Sequence, residues 1–82
     1  MQWHFLSLKD KLEKFLGHYG IDYYGVQGPI RGSKICSVYI KKSGLDRFLN
    51  LQGTSYFNHT FWFSKDHEFE DSIKFNVNCI RG

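Results

Sequence analysis

Thr54-Ser-Tyr-Phe-Asn-His-Thr-Phe-Trp-Phe-Ser64 and, shortly after it, Ser72-Ile-Lys-Phe-Asn-Val-Asn-Cys-Ile80 alternate at period two. Side chains of a strand point to opposite faces in turn, so this pattern marks strands that keep one face apolar and the other wet. The spacing predicts strands over 54–64 and 72–80. Phe57, His59, Phe61, Phe63, Ile73, Phe75, Val77 and Cys79 fall on the covered side. Tyr56, Asn58, Thr60, Trp62, Lys74, Asn76 and Asn78 fall on the open one.

Working towards the N-terminus, residues 34–42 continue the pattern, with Cys36, Val38 and Ile40 inward and Tyr39 and Lys41 outward. Residues 21–27 read as a partner strand, with Tyr24 and Val26 inward and Tyr23 outward. Gly28-Pro-Ile-Arg-Gly32 is the turn between them by its chemistry. Phe5, Leu8, Leu12, Phe15 and Leu16 recur at helical spacing, which predicts a helix over 8–17 with Ser7 as its N-cap and Gly17 as its stop. Leu45, Phe48 and Leu49 mark a short second helix, capped by Ser43 with Asp46 at the capping-box position and ended by Gly53. Residues 65–71, Lys-Asp-His-Glu-Phe-Glu-Asp, read as a charged connection holding one helical turn, with Phe69 folded back onto the body. The expected fold is a single α+β domain over residues 1–82. It is a two-layer sandwich of α-β-β-α-β-β order, with a four-stranded, mostly antiparallel sheet and both helices on one face.

A chain of 82 residues buries only roughly 60–65% of its unfolded surface. Aromatics make up 18% of it, and such rings gather apolar area that a short chain otherwise lacks. Alanine is absent, while Phe, Tyr, Ile, Lys and Asn are abundant. That usage follows A/T-rich codons and suits a phage or other mobile element. The formal charge of +3 is too small to announce a nucleic-acid binder, but it is unevenly spread. Arg31, Lys34, Lys41, Lys42 and Arg47 form a basic run, and Asp66, Glu68, Glu70 and Asp71 an acidic one. No leader or membrane span is visible, so a cytoplasmic setting is expected. Cys36 and Cys79 read as buried thiols.

His59, Asp66, His67, Glu68, Glu70 and Asp71 are the one group with acid, base and ligand chemistry. No regular element fixes a ligand spacing among them, so neither a metal nor another cofactor is expected. Neither cysteine has a basic activator nearby, no Gly-x-Ser-x-Gly elbow occurs, and the glycines at 25, 28 and 32 precede a strand and not a helix. An enzyme is not expected. The open face points instead to partner binding through Tyr23, Tyr39, Lys41, Lys42, Tyr56, Trp62 and Lys74: rings as anchors, lysines for phosphates or carboxylates. Aromatics that fill cross-strand pairs, or a face used for self-association as a homodimer, are the plainer alternatives.

Leu12-Glu-Lys-Phe-Leu-Gly-His-Tyr-Gly-Ile21 and Arg47-Phe-Leu-Asn-Leu-Gln-Gly53, separated by a hairpin, resemble the helix–hairpin–helix part of LAGLIDADG-type homing endonuclease domains, in which a curved sheet grips DNA. The resemblance spans residues 12–53. The helix with the family's acidic, self-associating motif has no counterpart, since nothing like Gly-x-x-Asp-Ala-Asp-Gly occurs, so the resemblance implies a sheet scaffold and not nuclease activity. The expected function is that of a small non-enzymatic interaction protein, an inhibitor that occludes a host protein or protein–nucleic-acid complex such as a defence nuclease. A nucleic-acid-binding module using the open face is the competing expectation.

Overall fold

The computed structural model describes residues 3 and 6–81; His4 and Phe5 lie outside them. Helix α1 (Leu8–His18) leads into β1 (Tyr23–Gln27) and β2 (Ile35–Lys41). A single 3-10 turn (Lys42–Gly44) runs directly into α2 (Leu45–Leu49), and β3 (Thr54–Tyr56), β4 (His59–Glu68) and β5 (Ser72–Arg81) complete the chain. The strands form one antiparallel sheet in the order β1-β2-β5-β4-β3. The expected four strands are therefore five, in α-β-β-α-β-β-β order.

The fifth strand arises because the stretch 54–64 is folded in two. Tyr56 pairs with His59, leaving Phe57 and Asn58 as a two-residue loop, and Phe57 sits at φ 54. Hairpin loops this tight need positive φ and ordinarily use Gly or Asn there. A phenylalanine adopts it with strain, and here the ring stacks on Trp3 with centroids 4.7 Å apart. The next departure lies at 65–68, which continue β4 and do not form a connection with a helical turn. A bulge between Lys65 and His67 lets the ladder carry on to Glu68, and the reversal comes at Phe69–Ser72, closed by Phe69 N–H donating to Ser72 C=O at 2.8 Å.

Ser7 caps α1 as its position predicts, accepting from Asp10 N–H at 3.1 Å. The stop is Gly20 and not Gly17. Ile21 N–H reaches Leu16 C=O and Gly20 N–H reaches Gly17 C=O, with Gly20 left-handed at φ 65. That is the Schellman arrangement, in which the residue after the glycine tucks against the last helical turn; Ile21 and Leu16 are both buried. Ser43 does not cap α2: it lies inside the 3-10 turn, and Gly44 stands at the cap without a side-chain bond.

Phe15 of α1 stacks on Phe61 at 4.2 Å, and Phe48 of α2 packs against Phe63 at 4.1 Å and Phe75 at 4.9 Å. Phe61, Phe63 and Phe75 share one side of the sheet, so both helices cover that side. Cys36, Val38, Ile40, Ile73, Val77 and Cys79 of the strands join Leu12, Leu16, Ile21 and Leu51 in the same core. No helix among the described residues is long and apolar enough to cross a membrane.

Candidate partner-binding face

The strand registers lay out the uncovered side of the sheet in rows. Tyr39 stands beside Lys74 and His67; Ser37 beside Asn76 and Ser64; Ile35 beside Asn78 and Trp62. Trp62 is 48% exposed and its ring lies over Gly53. A Cβ there would come within 2.8 Å of Trp62 Cη2, so the glycine is what lets the indole lie flat on the sheet edge. Beside the ring, Ile35, Ser64, Asn76 and Asn78 border a cleft of about 240 Å³.

A second cleft, of about 350 Å³, opens at the far end between Tyr24, Tyr39, Phe69, Asp71 and Ser72. Tyr24 is 57% and Phe69 42% exposed. The Tyr24 hydroxyl donates to Asp71 Oδ2 at 2.9 Å. That bond, followed by desolvation and the Asp71 charge, raises the phenol above its usual value.

Of the residues singled out from the sequence, Tyr39, Lys41, Trp62 and Lys74 share this face. Tyr23 and Tyr56 do not. A bulge between Tyr23 and Gly25 turns Tyr23 inward opposite Ile40, where it packs on the core, and burial followed by the Glu13 charge raises its phenol. The same bulge sends Tyr24 outward, the reverse of the predicted assignment; Gly25 inside the strand was the available signal. Tyr56 faces the helices because the loop at Phe57 reverses the chain, and it packs edge-on to Trp3 and beside Phe15. Lys42 lies beyond the end of β2, and its ammonium pairs with Glu68 at 3.1 Å while Lys65 pairs with the other oxygen at 2.8 Å. These two partners, Lys65 first, hold the Glu68 carboxyl at about 2.

The face's own cations are engaged within the molecule. Lys74 pairs with Asp66 at 3.1 Å, and Lys41 Nζ sits 4.9 Å from the centre of the Tyr24 ring. Arg47 turns away to donate to Gly20 C=O at 3.4 Å. The basic run of the sequence is thus dispersed over the fold and makes no continuous patch on the open side.

The histidine–carboxylate group of the sequence is also dispersed. His59 is buried on the helix side, whereas His67 lies on the open face opposite Lys74. Among the described residues, no three His, Cys, Asp or Glu side chains are placed to hold a metal ion. Cys36 and Cys79 are free, buried thiols that hydrogen-bond to one another, which lowers the Cys36 pKa and, with burial, raises that of Cys79. No family model, curated protein or solved structure matches this chain.

Proposed function

We propose that this protein is a non-enzymatic interaction protein that occludes a protein partner through the open face of its sheet. The observation that carries the reading is the pairing of exposed rings with engaged lysines: Trp62, Tyr24 and Phe69 protrude from the face, while Lys74 pairs with Asp66 and Lys41 lies over the Tyr24 ring. Rigid aromatic anchors beside clefts are what protein interfaces use to desolvate a centre. Gripping a phosphate backbone needs free cations whose counterions are released on binding. A face whose lysines are already partnered suits the first task better than the second. The residue usage, which follows A/T-rich codons, favours a phage or mobile-element setting, in which the occluded partner is a host protein or protein–nucleic-acid complex such as a defence nuclease.

The test is a pull-down from host lysate, with and without nuclease treatment, using wild type, Trp62→Ala, Tyr39→Ala and a Lys41→Glu/Lys42→Glu double variant. The reading expects a protein retained after nuclease treatment, bound with weak salt dependence, and weakened on the order of 30-fold by the loss of Trp62 if that ring is a hot spot. Loss of the partner on nuclease treatment, a steep fall in affinity with salt, and sensitivity to the lysine reversals instead of the aromatic changes would assign the face to nucleic acid.

A further inference from the structure

On the helix side, where β4 begins and β5 ends, a small cavity of about 50 Å³ is bounded by Trp3, Lys11, Asn58, His59 and Arg81. Two of these residues carry buried nitrogens with no hydrogen-bond partner among the described residues, Trp3 Nε1 and His59 Nδ1. Their rings meet at an angle of 65° with centroids 5.9 Å apart. His59 is only 6% exposed. A buried polar group left unsatisfied loses its hydration without a replacement, so two in one wall call for an occupant. The indole N–H can only donate, which means the occupant must accept.

The charges around the cavity specify its sign. Lys11 enters from α1, with its ammonium 5.6 Å from the Trp3 ring centre, and Arg81 enters from β5 opposite His59 in the ladder. Lys34, preceding β2, adds its field at His59. Among the described residues, no carboxylate borders the cavity. Burial first, then Lys11, Arg81 and Lys34, lower the His59 pKa, so these charges disfavour the protonated imidazole.

We infer that this cavity is a binding site for one small monovalent anion of about chloride size, received by the Trp3 indole N–H and His59 between the Lys11 and Arg81 charges. Anion binding and His59 protonation support each other, since a negative charge offsets the Lys11, Arg81 and Lys34 charges that add to burial in lowering the pKa, and the protonated ring then offers an N–H to the anion. Linkage makes the effect reciprocal: the anion binds more tightly as pH falls, and His59 takes up its proton more readily when the anion is present.

The probe is sodium chloride against sodium gluconate at equal ionic strength, read by NMR on the intact chain. His59 is expected to titrate about one pH unit higher in chloride, a roughly tenfold coupling. The Trp3 indole N–H resonance should move saturably with chloride, and that of Trp62 should not. Lys11→Gln and Arg81→Gln each replace a side chain at the cavity mouth and should abolish both responses while leaving the amide spectrum folded. Identical His59 titration in the two salts, with a Trp3 indole resonance indifferent to chloride, would overturn the inference and leave the cavity to a water molecule.

Discussion

Strand β3 pairs with β4 over only three residues, and beyond it the edge of β4 at Phe63 is completed by a side chain. Gln52 Oε1 accepts the Phe63 N–H at 2.6 Å and Gln52 Nε2 donates to the Phe63 C=O at 2.9 Å, so the amide stands in for the next peptide of an edge strand. Gln52→Ala removes both bonds. At roughly 0.5–1.5 kcal/mol net for each, the loss is about 1–3 kcal/mol, and its centre near 2 kcal/mol lowers the melting midpoint of a domain this size by about 8–16 °C. Hydrogen exchange at the Phe63 amide should accelerate as well, because that N–H loses its acceptor. Gln52→Glu separates the two bonds. The carboxylate can still accept from Phe63 N–H, but its other oxygen then faces a carbonyl it repels, which raises the folded-state pKa of the introduced acid. A raised pKa stabilises below the unfolded value, roughly 4.3 for glutamate, and that stabilisation is lost as pH rises through the folded one. Gln52→Glu should therefore approach wild type in acid and melt below Gln52→Ala near neutrality. An unchanged midpoint in Gln52→Ala with unaltered Phe63 exchange would refute the strand-completing role, and so would a Gln52→Glu variant whose deficit is the same at all pH values.

Gly53→Ala should destabilise by roughly 1–2 kcal/mol from its left-handed backbone alone. It should also push the Trp62 ring off the sheet, seen as stronger acrylamide quenching of Trp62 fluorescence in a Trp3→Phe background; unaltered quenching would contradict the close approach of 2.8 Å. Phe15→Ala deletes a fully buried ring stacked on Phe61 and should cost about 3–5 kcal/mol, so thermal melting should show a largely unfolded chain at growth temperature, whereas a midpoint near wild type would show that the core closes without it. Glu68, held at about 2 against an ordinary 4.5, contributes stability present above the ordinary value and lost as pH falls towards the lower one. Glu68→Gln should flatten that part of the acid limb in pH-dependent melting, and an unchanged limb would mean that Lys65 and Lys42 do not hold the carboxylate in solution.

Most of the core could be read in advance because β2, β5 and the inner half of β4 are regular and covered on one side, so apolar and polar residues alternate along Cys36–Ile40, Phe61–Phe63 and Ile73–Cys79. The outer half of β4 was not legible. Beyond Ser64 it is wet on both faces, and charged residues without alternation look like a loop even when the ladder continues through them. The hairpin loop was hidden for a different reason: Phe57 has the parity of Phe61 and Phe63, and its strained φ is accepted without the glycine that would have announced a turn. Residues of the small cavity come from four separate segments, the N-terminal one, α1, the Phe57–Asn58 hairpin and β5, so no spacing along the chain could have joined Trp3, Lys11, His59 and Arg81.

Two of the irregularities, the bulge after Tyr23 and the loop at Phe57, have a common consequence for function, since each moves an aromatic side chain from one face to the other. The bulge after Tyr23 places Tyr24 outside, where Asp71 accepts its hydroxyl and Lys41 lies over its ring. The loop at Phe57 places Tyr56 inside, against Trp3, and begins the strand that carries His59 into the cavity wall. The composition of both candidate sites is thus set less by the alternation of the strands than by these two breaks in it. Regular β structure supplies the platform, and one extra residue at Tyr24 and one tight reversal at Phe57 decide which chemistry each side of it presents.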